Sequence, residues 1–210
     1  MTDLPSPTAA DAPLRRRPSQ TRSKERVERI LTVARELIAA RGSEALRMAE
    51  LADAAGISIG SLYQYFPDKA AIIRTLAERY NLQEQACIQA VLDAVRDAAG
   101  LRRALAGLVD DYYALFQAEP VMRDIWSGTQ ADPSLRDIDL AETRLLGDML
   151  AAVLIRLQPE ADAEELRISA FLTMHMAGAT VRLAIALERS EGDALMEALK
   201  RMMMRELLPV

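Results

Sequence analysis

RMAELADAAGISIGSLYQYFPDK, residues 47–69, decides how this chain folds. Leu51, Ile57, Leu62 and Phe66 are spaced to anchor two short helices at an angle, the first over about 48–55 and the second over about 59–66. Gly56-Ile57-Ser58 is the turn between them. Glycine follows the last helical residue, where a left-handed backbone suits it best. Ser58 stands where a hydroxyl can cap free N–H groups of the second helix, and Asp68 where a carboxylate can cap the helix that follows. Eight helical residues span roughly 12 Å, and a DNA major groove is about 12 Å wide. The stretch reads as a helix-turn-helix whose second helix protrudes.

Upstream, residues 19–41 carry Val27, Ile30, Leu31, Ala34, Leu37 and Ile38 at helical spacing, and Gly42 ends the run. Arg22, Lys24, Arg26 and Arg29 crowd the outer part of this helix. Three helices in about 50 residues make a small core that needs further support. Residues 1–18 are rich in Pro, Ala and Asp and are expected to be a disordered basic tail. It ends in Arg15-Arg16-Arg17, which either reaches along DNA as a basic arm or only solubilises the chain. The helix-turn-helix behind it favours the first reading.

The 210 residues allow one domain or a small domain with a larger one. Few glycines and prolines and an abundance of Ala, Leu, Arg and Met predict an all-α protein. Cys87 is the single cysteine, so no internal disulfide forms, which suits a reducing cytoplasm. No apolar run of about 18 residues marks a membrane span, and no apolar segment behind the N-terminal arginines marks a signal peptide. The net charge of −5 speaks against nucleic acid until it is divided. Residues 1–80 hold 13 basic and 10 acidic side chains, residues 81–210 hold 13 and 21. A cationic head on an acidic body fits a DNA binder with a separate second domain.

About nine helices are expected in all. After the one starting at Lys69 come helices over about 101–117, 121–129, 134–157, 162–189 and 193–208, with a turn at 130–133. AFLTMHMAGATVRLAIAL, residues 170–187, is apolar nearly all round, and the final helix carries Leu195, Leu199, Met202 and Met203. One small body does not readily cover both. Phe171, Ala177, Gly178, Val181, Leu195, Leu199, Met202 and Met203 are therefore expected at an isologous four-helix interface between two copies, the alternative being the core of a monomeric bundle.

Residues 22–69 resemble the DNA-binding head of the TetR family of bacterial transcriptional regulators. The resemblance rests on the first helix ending at Gly42, on ELADAAGIS at 50–58, and on S-x-G-x-L-Y-x-Y-F-x-x-K, here Ser58, Gly60, Leu62, Tyr63, Tyr65, Phe66 and Lys69. It implies a tail over 1–18, a head over 19–68 and a ligand-sensing, dimerising body over 69–210. It further implies that Ser58, Tyr63, Tyr65 and Lys69 contact phosphates and that Ile59, Gly60, Ser61 and Gln64 face base edges. The chemistry agrees: tyrosine hydroxyls and an ammonium donate to phosphate, and a glutamine can pair with an adenine edge while isoleucine touches a thymine methyl. The family usually has Thr or Ser where Arg47 stands; Arg47 cannot cap that way, but it can reach a phosphate, as can Arg17 and Arg22.

The expected function is a repressor that binds a pseudo-palindromic, double-stranded operator as a homodimer and is released by a small, mainly apolar or aromatic effector. Tyr112, Tyr113, Met122, Trp126, Met174, His175 and Arg182 are the candidate lining residues, although for His175 and Trp126 a place in the core is the favoured reading. An activator of the same fold, or a helical sensor without DNA binding, are the alternatives. An enzyme built around His175 is disfavoured: there is one histidine, no glycine-rich phosphate loop and no metal-ligand spacing. No cofactor, metal or membrane partner is expected.

Overall fold

The computed structural model describes residues 17–128 and 132–208, with side chains from Thr21 onward. Among the described residues there are nine α-helices, one 3-10 turn and no strand. The expected tail, apart from the backbone of residues 17 and 18, and the first part of the turn at 130–133 lie outside them.

The head consists of α1 (Arg17–Arg41), the 3-10 turn Ser43–Ala45, α2 (Met48–Ala54) and α3 (Ile59–Tyr65). Ile30, Leu31, Ala34 and Ile38 from α1 are buried with Leu46, Leu51, Leu62 and Phe66 in one continuous core. Gly56 takes φ +65° between α2 and α3. The Ser58 hydroxyl oxygen then accepts the Ser61 backbone N–H at 3.1 Å. This satisfies one of the free donors of α3 and sets where it starts. In the same way Asp68 Oδ1 accepts the Ala71 N–H at 2.7 Å and opens α4 (Lys69–Asp93). Ile72 and Leu76 are buried near the start of α4, and Ile88 and Leu92 near its end, so one rigid helix joins the head to the body.

The body adds α5 (Ala98–Ala118), α6 (Pro120–Ser127), α7 (Pro133–Leu157), α8 (Ala163–Ala184) and α9 (Arg189–Leu207). Helices α7, α8 and α9 pack most extensively, in sequence order. Two glycines let them approach. A Cβ on Gly147 would lie 2.9 Å from Phe171 Cα, so α7 needs a bare position opposite α8. A Cβ on Gly192 would lie 2.6 Å from the Ala184 carbonyl oxygen and 2.5 Å from the Tyr113 hydroxyl.

The boundary between the last two helices differs from the sequence reading. The chain leaves α8 at Ala184 rather than near residue 189, and α9 begins at Arg189. Apolar residues continue through Leu187, so hydrophobicity does not mark the break. The turn is set by the close seat of Gly192 under Ala184 and by the Glu188 carbonyl, which accepts the N–H groups of Glu191 and Gly192.

Gly192→Ala is expected to destabilise the protein by about 1–2 kcal/mol. Overpacking against a backbone carbonyl outweighs the ~1 kcal/mol by which alanine favours a helix interior. Urea denaturation of the two proteins checks this, and an unchanged or raised midpoint would contradict it.

Candidate DNA interface and ligand cavity

The outward face of α3 carries Ile59, Gly60, Tyr63 and Gln64, all exposed, with Ile59 at 42% and Tyr63 at 50% of full exposure. Tyr65 is half-buried against the core, and Ser61 is partly buried. The two tyrosines flanking Gln64 thus divide their work: Tyr63 is free to donate outward while Tyr65 braces the helix. No neighbour in the chain requires Gly60 to be bare, since a Cβ there would meet nothing within 4 Å. Its small size leaves space on the open face, where another molecule's backbone can come close.

Arg47 and Lys69 meet at one backbone carbonyl, that of Glu44. Arg47 precedes α2 and makes no side-chain cap. Its Nη1 donates to the Glu44 carbonyl at 2.9 Å. Lys69 Nζ donates to the same carbonyl at 3.4 Å. Ser58 is exposed, its hydroxyl donating to Ser61 Oγ at 2.9 Å. Arg22 is exposed on the first part of α1. Arg17 is the first residue of that helix, its side chain outside those described, as are Arg15 and Arg16 altogether.

The body holds a cavity of about 70 Å³, walled mainly by α4, α5, α7 and α8, with Trp126 of α6 and Met203 of α9 also lining it. Of the residues expected there, Tyr112, Trp126, Met174, His175 and Arg182 line it, His175 from an exposed position. Met122 and Tyr113 do not. Met122 is fully buried on α6, and Tyr113 faces the other side of α5, beneath the Arg189 guanidinium at 5.7 Å.

A polar set that the sequence reading missed also lines the cavity: Asn81, Glu84, Asp139, Glu142 and Thr143. The signal was present in the spacing. Asn81 and Glu84 interrupt the buried stripe Ala77, Ile88, Leu92 of α4, and Asp139, Glu142 and Thr143 interrupt Leu135, Leu146, Leu150 of α7. Polar residues at core spacing on two facing helices mark a cavity rather than a core. Burial pushes the Glu84 carboxyl up to about 8, and the nearby Glu142 and Asp139 carboxylates push the same way. Glu84 keeps some accessible surface on the cavity wall, yet protein surrounds it closely enough that lost hydration dominates. Burial likewise raises Glu142, although Gln85 Nε2 donates to its Oε2 at 2.6 Å and opposes the shift. The Tyr112 hydroxyl is raised well above its ordinary value, by burial first and by Glu84 next. Arg182 pairs with Asp139 at 3.7 Å.

Helix α6 connects the cavity to the head. Trp126 meets Tyr80 edge-on at 6.2 Å and Phe116 at 6.5 Å. Two residues before Trp126, on the opposite face, Asp124 Oδ2 accepts the Ser43 N–H at 2.9 Å, and at the helix start Glu119 Oε2 accepts from Arg35 Nη2 at 2.7 Å.

The residues expected at a dimer interface are split by the structure. Ala177, Gly178 and Val181 face the cavity, Leu199 and Met203 are buried, and Leu195 is half-buried. Phe171 is partly covered, packed on Gly147 under the Arg144 guanidinium at 5.2 Å. Met202, 53% exposed, is the one of the eight that projects. It is joined by Ile168, Leu172 and Leu183 of α8, exposed at 58%, 52% and 53%. On α8 the inward face carries Ala177, Gly178 and Val181, and the outward face Ile168, Leu172 and Leu183.

A three-helix head with an exposed second motif helix, carried on a helical body with an internal cavity, is the architecture of a one-component bacterial DNA-binding regulator. Residues 30–76 match the family model for bacterial regulatory proteins of the tetR family, and residues 99–210 match that for the tetracycline repressor-like C-terminal domain. The chain belongs to the TetR family of transcriptional regulators, whose members regulate transcription rather than catalyse reactions. A search of curated proteins gave no match. Solved structures share the fold. A TetR-family regulator from Pectobacterium atrosepticum is 19% identical with a TM-score of 0.67, the alignment covering 91% of this chain and 98% of that one. One from Streptomyces coelicolor is 24% identical with a TM-score of 0.65, over 87% and 97%. A putative transcriptional regulator from Saccharomonospora viridis, solved with choline, is 23% identical with a TM-score of 0.64, over 85% and 95%.

The raised Glu84 carboxyl has a consequence for stability. Between its ordinary value of 4.5 and about 8 the folded protein holds a proton that the unfolded chain has released. Stability therefore falls as pH rises through that window. Glu84→Gln removes the penalty and is expected to stabilise the protein by on the order of 1–3 kcal/mol above pH 8, and by much less at pH 5. Thermal unfolding at the two pH values checks it; an equal change at both would refute the assignment.

Proposed function

We propose that this chain is a repressor that binds a two-fold symmetric operator as a homodimer and leaves it when a small molecule with a mainly apolar or aromatic body occupies the cavity. The reading divides the chain into a basic tail over 1–18, a head over 19–68 and a sensing and dimerising body over 69–210, working in the cytoplasm. It is carried by one observation: α6 puts Trp126 in the cavity wall and Asp124 on the backbone of the head. A ligand that moves Trp126 acts on a helix bonded to the turn leading into α2. Release then requires only that the ligand bind better when the heads are misplaced for DNA. The choline complex of the Saccharomonospora viridis protein supports the cavity as an effector site by likeness of fold.

In the DNA complex Gln64 and Ile59 face base edges, with Gly60 and Ser61 letting the helix approach. Tyr63, Ser58, Lys69, Arg47, Tyr65, Arg22 and Arg17 take phosphates. Two copies meet through Ile168, Leu172, Leu183 and Met202, an exposed apolar stripe on α8 and α9 that suits an isologous helical interface.

Selection of bound duplexes from random DNA is expected to return a two-fold symmetric site. Tyr63→Ala with Gln64→Ala is expected to weaken binding to that site at least about tenfold, from lost phosphate and base-edge hydrogen bonds. A gel shift unchanged by the double substitution, or no selected site, would sink the reading. Leu172→Glu with Met202→Glu is expected to give a folded monomer in sedimentation, and a persistent dimer would move the interface elsewhere. Asp124→Ala is expected to keep ligand binding by calorimetry and to blunt ligand-induced release from DNA; full release would rule out α6 as the link.

A further inference from the structure

The cavity wall carries more acidic side chains than basic ones. Five groups on it bear on its charge. Asp139 is paired with Arg182 at 3.7 Å, and no other Arg or Lys lines the cavity. His175 stands at an exposed position on the wall. Glu142 Oε2 is occupied by Gln85, but its Oε1 is buried and accepts no hydrogen bond. Glu84 lines the same cavity and, among the described residues, neither accepts a hydrogen bond nor pairs with a cation. Apart from Asn81 and Thr143, the rest of the wall is apolar and aromatic, including Tyr112, Trp126 and Leu146.

We propose that this cavity is a receptor for a small primary organic ammonium with a flat apolar body, its N–H groups donating to Glu84 and Glu142 and its body lying against Tyr112 and Trp126. The inference rests on the reading of the cavity as an effector site and names the chemistry of the effector. An anion would add charge beside acidic side chains that already repel one another. A neutral molecule can fill the apolar space but leaves the repulsion among Glu84, Asp139 and Glu142 to be relieved by a proton. An ammonium supplies charge and donors together, and aromatic faces attract a cation's adjoining groups. A quaternary ammonium supplies charge without N–H donors and leaves Glu142 Oε1 unsatisfied. The cavity, about 70 Å³, exceeds what a single water needs, so it suits a small ligand.

The proposal also predicts proton traffic. Without a cation, a proton held on Glu84 relieves its repulsion with Asp139 and Glu142 of α7 in the surroundings of Tyr112 of α5 and of His175 and Arg182 of α8. An ammonium takes over that role, so binding at pH 7 releases the proton to solvent while the ammonium keeps its own.

Calorimetry on the full-length protein at pH 7 tests this with benzylamine, phenethylamine and benzamidine, against benzyl alcohol, benzoate and tetraethylammonium. At least one of the three N–H cations is expected to bind with proton release, read from titrations in buffers of different ionisation enthalpy. The other three are expected to bind at least about tenfold more weakly. Glu84→Gln and Glu142→Gln are each expected to cost at least about tenfold for the bound amine, and Glu84→Gln to abolish the proton release, while both variants unfold cooperatively at no lower temperature than wild type. Binding of no amine, binding of benzoate, benzyl alcohol or tetraethylammonium as tight as the amine, or amine binding unchanged in both variants overturns the proposal. Amine binding that leaves the DNA complex intact supports the cation site and counts against the repressor-release reading alone. Release from DNA by benzoate or benzyl alcohol supports that reading and overturns the cation site.

Discussion

Helix α6 is eight residues long and ties the two halves of the molecule together. It buries Val121, Met122, Ile125 and Trp126 on one side and directs Glu119 and Asp124 toward the head on the other. The Asp124 carboxylate accepting the Ser43 N–H constrains both partners. It satisfies a donor in the turn after α1, and it brings Asp124 Oδ1 to 3.0 Å from where a Cβ on Gly42 would stand. Gly42 also has φ +80°. Two independent constraints thus meet at one glycine: a left-handed backbone that ends α1, and a side chain from the body that closes over it. Helices α2 and α3 then pack on α1 and on each other through Leu51, Leu62 and Phe66, which fixes the exposed face of α3.

The cavity departs from what stability alone would choose. Acidic groups stand at core spacing on α4 and α7, where leucines would pack better, and raised carboxyls mark the cost of burying them. The extensive packing of α7, α8 and α9 offsets it, and the glycines at 147 and 192 are what allow those helices to close to near backbone contact. The acidic lining comes from α4 and α7, and the rest of the cavity wall is largely apolar.

Helix α8 is used on two faces. Its inner face, with Ala177, Gly178 and Val181, walls the cavity, and its outer face presents Ile168, Leu172 and Leu183. A residue on α8 therefore lies within one helix diameter of the cavity and of the proposed partner subunit, so a ligand and a second copy act on one rigid element. Near-uniform apolarity along 170–187 covers both faces of α8, which is why the sequence does not reveal which face turns which way.

The head was legible in the sequence almost residue by residue, because its determinants are local. Gly56 in a left-handed turn, Ser58 and Asp68 as caps, and Leu51, Leu62 and Phe66 as anchors each act within a few positions of themselves. The helical count and the cationic head on an acidic body were legible for the same reason: periodicity and charge are properties of short stretches. Tertiary structure alone decided the rest. That Glu84 and Glu142 share a cavity, that Tyr113 and Met122 stand outside it, and that α8 turns at Ala184 all depend on residues far apart in the chain being brought together. Even Tyr63 and Tyr65, two residues apart on one short helix, needed the packed head to show which is exposed. Local backbone preference and capping are written into neighbouring residues, whereas the hydration a side chain loses and the partner it meets are set only when distant helices close around it.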